Sequence, residues 1–491
     1  MANDASQWGK DEMTVDATDL ALCDLIEVGQ RIAAGDVTSY QVTQAQLERI
    51  ERFDGHLHAY AQVLADTALA QAAAADMERA AGVRRGPLHG VPIAVKDLCW
   101  IEGVPTAAGM AIHRDFVPSM DSTVVRRLKE AGAVLIGKTQ LTEGAYSDYH
   151  PSVTPVVNPW NETYWAGISS SGSAVATAAG LCYGAIASDT GGSIRWPSAA
   201  NGVTGLKPTW GRVSRHGVFE LAPSLDHVGP IARSAADVGA LLAAIAGSDA
   251  RDATAALVPV PDYLAAASVG IAGIRVGIDP RCDSDDVDVD IHAAMAAALQ
   301  TFRDLGARIV EIELPDATRI VHDWPTHCAV EAAVAHEPYY PAHKASYGPI
   351  LSQVVEAGAA VSGVDYQKIL LRRAAYRGRV EALFSTVDAV LAPVHPFAPL
   401  TLSSIATLGA QPGLVAALQR YTCPFNMSGH PTLTFPAGRA RDGMPVGLQL
   451  IAAHFDELAL LRAGIAYQGA TSWHRQHPTL PEHRSTAGGH R

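Results

Sequence analysis

The sequence predicts an α/β fold, one large domain in which a mixed β-sheet core is covered by helices on both faces. Two observations predict it. Short apolar runs alternate with helix-like segments along the middle of the chain, the pattern of strands joined by packed helices. Hydrophobic residues make up 48% of the 491 and charged residues 18%, a balance that lets one chain bury a large core of its own.

Residues 17–85 read as an N-terminal helical layer. Leu20 to Ala33 and Ser39 to Arg52 carry apolar residues at helical spacing, and Thr38 or Ser39 can cap the second segment. An α/β core is expected over 86–320. Its strands are read at Val91 to Val95, Ala133 to Ile136, Ala185 to Ser188, Ile274 to Asp279 and Arg308 to Glu313. Its helices are read at Ser122 to Glu130, Ser173 to Gly180, Ser234 to Ile245 and Ile291 to Leu305. From 321 to 425 the chain turns mainly helical and richer in His, Tyr and Pro, which suggests the wall or lid of a pocket. Strands at Pro431 to Pro436 and Val446 to Ile451, with a last helix, close the domain over 426–475, and the tail 476–491 is expected to fray.

The formal charge of −13, with no long run of Lys or Arg, argues against a nucleic-acid partner. Six cysteines lie scattered without CxxC pairs, so neither a zinc module nor a disulfide framework is indicated. The polar stretch Met1 to Thr14 lacks the apolar core of a secretory signal, and no apolar run approaches the roughly 20 residues of a membrane span. A soluble cytoplasmic monomer or homodimer without a membrane partner is therefore expected.

Three motif-like stretches read as accidental. Gly132 to Thr139 has the written form GxxxxGK[ST], but Ala-Val-Leu-Ile is a buried strand rather than a loop that turns its N–H groups inward. Asp286, Asp288 and Asp290 resemble the opening of a calcium loop, yet Ile291 and Ala297 stand where Gly and Glu are needed. A turn before a helix fits better. Gly167 to Gly172 does not match the GxSxG elbow, because its glycines are five apart. The 19 histidines contain no HExxH pair, so neither metal nor cofactor is implied.

The stretch that carries chemistry is Thr190-Gly191-Gly192-Ser193-Ile194-Arg195, with Ser169 upstream and Lys96 further back. A nucleophilic serine needs a base to take its proton, and glycines before it let backbone N–H groups approach a developing oxyanion. Lys96 follows the apolar run Val91 to Val95, which would bury it at the inner end of a strand. Keeping it neutral at pH 7 against an ordinary value near 10.4 corresponds to about 4.6 kcal/mol.

Four segments together resemble the amidase signature hydrolases: Gly90-Val-Pro-Ile-Ala-Val-Lys96-Asp97, Gly167-Ile-Ser169-Ser170-Ser-Gly-Ser-Ala174, Ser188-Asp-Thr-Gly-Gly-Ser193-Ile-Arg-Trp-Pro-Ser198 and Gly205-Leu-Lys-Pro-Thr209. Ser224 to Pro230 and Pro445 to Gln449 extend the likeness from about Gly86 to Ile451. The resemblance implies Ser193 as nucleophile, Ser169 as a bridging serine held by a cis peptide, and Lys96 as base. It implies an oxyanion hole from the N–H groups of Thr190, Gly191, Gly192 and Ser193, with Ser170, Asp189 and Arg195 orienting the loop. Ile168 and Ser171 depart from the family's glycine-rich pattern without removing a reacting group.

Tyr146, Trp165, Phe219 and Cys328 are pocket-lining candidates, each with core packing as its plainer reading. Trp165 to Gly172 and Gly205 to His216 resemble urethanase-type bacterial amidases. The likeness implies a small-molecule substrate, an aryl amide or a low-molecular-weight carbamate. Two other readings stay open: the glutaminase subunit of a transamidation complex, and a non-catalytic binding protein of the same fold.

Overall fold

The computed structural model describes residues 20–265, 269–284, 286–397 and 400–481. The expectation about the polar start of the chain, and most of that about its tail, lie outside the described residues.

The N-terminal layer forms where helical spacing predicts it. Leu25–Ala34 (α1) buries Leu25, Val28, Gly29 and Ile32 and stops at Gly35 in the left-handed region, φ 88°. Ser39–Leu57 (α2) starts from Thr38, whose hydroxyl accepts the Gln41 N–H while the Gln41 side chain accepts the Thr38 N–H. Of the two candidate caps, Thr38 is the one used. A strand, Tyr60–Val63 (β1), then interrupts the layer before Ala65–Ala80 (α3). Four residues are too few for an alternation to be read from sequence.

The core continues with Pro92–Lys96 (β2), Thr123–Glu130 (α4), Val134–Thr139 (β3), Ser171–Ala178 (α5), Gly184–Asp189 (β4), Arg195–Asn201 (α6), Thr204–Lys207 (β5) and His227–Ala232 (β6). Ala235–Ile245 (α7), Arg275–Ile278 (β7), Val289–Asp304 (α8) and Arg308–Glu311 (β8) complete it. Beyond come Thr318–His336 (α9), Tyr340–His343 (α10), Pro349–Ala359 (α11), Gly363–Leu383 (α12), Ala389–Pro393 (β9), Leu402–Ala406 (α13), Pro412–Gln419 (α14) and Cys423–Ser428 (α15). Thr432–Arg439 (β10), Pro445–Ile451 (β11) and Glu457–Ala470 (α16) close the chain.

One mixed sheet of 11 strands runs β1-β3-β2-β4-β6-β5-β10-β11-β9-β7-β8. Helices cover both faces, as expected. On β10, Leu433 and Phe435 pair with Leu450 and Leu448 of β11, and this apolar face packs under α16 at Gly464. The alternate residues Thr432, Thr434 and Gln449 turn to the other face, where α6 lies so close that Ala199 abuts Gly447 and Ser198 abuts Gly205. The second face is therefore the polar one.

Two further readings are corrected. β9 lies inside the stretch expected to be helical, and it is a central strand between β11 and β7. Its five residues are all buried, and a short apolar run buried on both faces has no strand periodicity to read. In the tail, Pro478 is buried and Leu480 packs on the cluster holding Phe53 and Leu57, so 476–481 is docked rather than frayed. Gly132 to Thr139 contains strand β3, which fits the dismissal of a phosphate loop. Asp288 caps α8 while Asp286 and Asp290 pair with Arg420 and Arg441, in keeping with a turn before a helix. No described helix is long and apolar enough to cross a membrane, and all six cysteines are buried and outside any disulfide.

Candidate active site

β2 and β4 run parallel with Val95 opposite Ile186, so their carboxyl ends bring Lys96 and Ser188 side by side. The carboxyl ends of strands in such sheets are where ligands bind. Lys96 is 0% exposed, and its Nζ lies 2.8 Å from Ser169 Oγ, 2.9 Å from Ser170 Oγ and 2.8 Å from Ser188 Oγ. Those three hydroxyls are its only hydrogen-bond partners among the described residues. Burial pulls the lysine down to about 7, against the weaker pull of Cys99, Asp189 and Asp226. Ser169 and Ser170 stand immediately before α5, and the Ile168–Ser169 peptide is cis. The Ser170 hydroxyl donates to the Ser188 carbonyl at 3.0 Å.

The turn from Asp189 to Ser193 joins β4 to α6, and its carbonyls are held from outside. Thr190 O accepts the Trp324 indole N–H at 2.9 Å, Gly191 O the Cys423 thiol at 3.3 Å and Gly192 O the Trp196 N–H at 2.7 Å. Ser193 O accepts the Ser170 N–H at 3.3 Å, and Asp189 O the Asn426 amide at 3.1 Å. Turning these carbonyls outward leaves N–H groups on the inner side. Trp324 packs where a Gly191 side chain would stand, and Gly192 has φ 143°, a conformation open to glycine.

Asp189 clamps the turn. Its carboxylate accepts the N–H groups of Gly192 at 2.9 Å and Ile194 at 3.0 Å, and Arg195 binds both of its oxygens. Burial alone would push this carboxyl up, but Arg195, Lys207 and Asn426 together outweigh it and hold Asp189 well below the usual carboxylate range. Arg195 also donates to Thr422 O and to Asn426. Asp226 accepts the Thr190 hydroxyl at 2.6 Å, and burial raises its carboxyl to about 6.

One oxyanion candidate is corrected. The Gly192 N–H is taken by Asp189, while those of Thr190, Gly191 and Ser193 carry no hydrogen bond among the described residues. The Asp189 carboxylate is the nearer acceptor and bears full charge. Ser193 is 6% exposed, and its hydroxyl has no hydrogen bond among the described residues.

A cavity of about 670 Å³ is lined in part by Leu98, Trp100, Met110, His113, Phe219 and Tyr339, with no residue of the turn in its wall. Its rings pack on one another: His113 stacks on Phe219 at 4.6 Å, and Trp100 meets Phe219 edge-on at 5.9 Å. A smaller recess shares Leu98, Val218 and Phe219 with it and reaches Ser188, Thr190 and Asp226. Phe219 thus lines the pocket. Cys328 does not: it is 0% exposed in a core with Trp324 and Leu221, because α9 turns it inward. Trp165 packs with Trp196, Val394 and Leu400 in a separate cluster, away from the cavity. Tyr146 is half-buried between two core clusters and lines neither space.

Sequence reading missed Ser188, Trp324, Cys423, Asn426 and Asp226. Ser188 carried a signal, a polar residue ending the apolar run Ala185 to Ala187, but only strand pairing shows that β4 lies beside Lys96.

The fold is that of a class of hydrolases of C–N bonds. The chain belongs to the Amidase family, whose model matches residues 41–461. It is 49% identical over 467 residues to AmiD of Mycobacterium tuberculosis, itself named only provisionally as an amidase, covering 95% of this chain and 98% of that one. It is 37% identical over 477 residues to a glutamyl-tRNA(Gln) amidotransferase subunit of Chloroflexus aurantiacus, covering 91% of this chain and 96% of that one. Among solved structures, native peptide amidase from Stenotrophomonas maltophilia superposes with a TM-score of 0.78 at 31% identity, covering 93% of this chain and 98% of that one.

Proposed function

We propose that this amidase works through an acyl-enzyme in which Ser193 is the nucleophile, Ser169 the proton bridge and Lys96 the base. The donor set around Lys96 carries the reading. Ser170 has one hydroxyl proton and donates it to Ser188 O, so toward Lys96 it accepts. With a second N–H given to Ser188, a neutral amine keeps its lone pair for the Ser169 hydroxyl. Ser169 then passes its proton to Lys96 while taking one from Ser193, whose Oγ attacks the carbonyl carbon. The open Ser193 hydroxyl suits a link to Ser169 that tightens when substrate arrives.

The free N–H groups of Thr190, Gly191 and Ser193 are the oxyanion donors in this reading, where losing one donor typically costs about 3–4 kcal/mol. The C–N bond breaks as the relay runs backward and protonates the leaving nitrogen. Water then repeats the attack, releasing the acid and restoring Ser193. Asp189, Arg195 and Ser170 hold the geometry and exchange no proton with substrate.

The aromatic lining of Trp100, His113, Phe219 and Tyr339 supports an aryl amide or a low-molecular-weight carbamate as substrate. A carbamate acylates Ser193 through its carbonyl, and any carbamic acid released decays to amine and CO2. An ester of the same acyl group would enter the same route. The buried cysteines, none of them in a disulfide, support a cytoplasmic protein, acting as a monomer or homodimer. The likeness to a glutamyl-tRNA(Gln) amidotransferase component favours one second reading, glutaminase activity within a transamidation complex.

Purified enzyme given an aryl anilide, an aryl carbamate and glutamine separates these readings. Amine release from the first two is expected, with a rate rising through a midpoint near pH 7 as Lys96 loses its proton. Turnover of neither sinks the substrate reading, ammonia from glutamine only in the presence of partner proteins favours the second, and a flat rate from pH 5 to 9 removes Lys96 as base.

A further inference from the structure

Glu381 near the end of α12, His430 between α15 and β10, and His454 beyond β11 are far apart in sequence yet converge, their ligand atoms all within 4.8 Å of one another. His430 Nε2 lies 2.8 Å from Glu381 Oε2, and His454 Nδ1 lies against the same oxygen. The other nitrogens determine what faces that carboxylate. His454 Nε2 is 2.9 Å from the Ser428 carbonyl, and a carbonyl only accepts, so Nε2 carries the proton. The Nδ1 of a neutral His454 therefore turns a lone pair toward Glu381. His430 Nδ1 lies 2.9 Å from the Ser428 hydroxyl, and with its proton there the Nε2 lone pair points to the same place. Two lone pairs and a carboxylate directed at one point call for a cation between them.

We propose that Glu381, His430 Nε2 and His454 Nδ1 form a site for a divalent transition-metal ion, zinc by its fit to two imidazoles and a carboxylate. Three protein ligands leave the fourth tetrahedral position to water. Ligand atoms bonded to zinc at about 2.0–2.1 Å stand roughly 3.3 Å apart, so the carboxylate draws back slightly on binding. Glu381 can do so, its side chain being 47% exposed. The rings are held: His430 is buried against Phe384, and each histidine has an oxygen of Ser428 on its far nitrogen, the outer bond that orients metal-binding imidazoles.

The site stands behind the catalytic turn. Ser428 ends α15, whose Cys423 and Asn426 hold Gly191 and Asp189, and the His430 carbonyl accepts from the buried Lys207. The ion would fasten α12 to the end of α15, a structural role independent of the substrate.

Tag-free full-length chain, stripped with chelator, is titrated with ZnCl2 by calorimetry and with CoCl2 by visible absorption. One equivalent is expected to bind, with the absorption of tetrahedral cobalt and a rise in Tm of about 2–3 °C at a hundredfold excess over Kd. Glu381→Gln and His454→Gln should each weaken binding at least tenfold, and melting without metal reports whether each variant folds. Should His454→Gln not fold, Glu381→Gln decides alone. Binding by wild type no stronger than by the variants, or none at all, overturns the site and leaves an ordinary histidine–carboxylate ion pair.

Discussion

Lys96 and Lys138 sit on neighbouring strands, both 0% exposed, and only Lys96 meets a cluster of serine hydroxyls. Val95 pairs with Lys138 and Lys96 with Thr139, so the two side chains leave opposite faces of the sheet. Lys138 Nζ lies 2.8 Å from an Asp97 oxygen and also binds Thr106. Lys96 meets three hydroxyls. Burial lowers both lysines, but the Asp97 carboxylate opposes it at Lys138. The contrast teaches that burial makes a neutral lysine possible, and that a nearby counter-charge decides whether it stays an ion.

The largest effect should come from removing the relay. Ser193→Ala and Lys96→Met are each expected to lower kcat/KM about 10⁴-fold or more while the protein stays folded, and turnover within tenfold of wild type would end the assignment. Lys96→Met should also change stability with a defined sign. The folded value near 7 lies below the unfolded value near 10.4, so between them the unfolded chain holds more protons and wild-type stability rises with pH. Thermal melts at pH 7 and pH 9 should show that rise in wild type and its loss in Lys96→Met.

Lys138→Met should behave in the opposite way. It strands the buried Asp97 carboxylate and is expected to destabilise the fold by about 3–5 kcal/mol, read by denaturant unfolding. An unchanged midpoint would mean that this pair is not held as ions.

Ser188→Asp sharpens the contrast by giving Lys96 the counter-charge that Lys138 has. The acid limb of the rate profile should move up by about 1–3 pH units, and an unmoved limb would place the titrating group elsewhere. Trp324→Phe, the mildest change, removes one hydrogen bond to the Thr190 carbonyl. Loosening the turn this way should cost about 1 kcal/mol, roughly fivefold in kcat/KM at constant stability.

Much of this was legible in the chain. Helices with strong spacing or caps, such as α1, α2 and α4, fall within a few residues of where periodicity and capping put them. β1 and β9 were not legible, because a four-residue strand and a run buried on both faces lack the alternation that identifies strands. The glycines and serine of Thr190 to Ser193 announced a turn suited to an oxyanion. That Gly192 gives its N–H to Asp189, and that Cys328 and Trp165 pack away from the cavity, depended on neighbours brought in from α6, α9 and the loop before α13.

The sequence by itself determined the α/β class, the buried position of Lys96 after an apolar strand, and the residue types the family chemistry requires. These follow from local composition and short-range spacing. The tertiary structure alone decided which groups meet: Ser188 beside Lys96 through the pairing of β2 with β4, Trp324 and Asn426 around the turn, and Glu381 with His430 and His454. Burial and proximity belong to the packed chain, and they set charge states that no residue carries on its own.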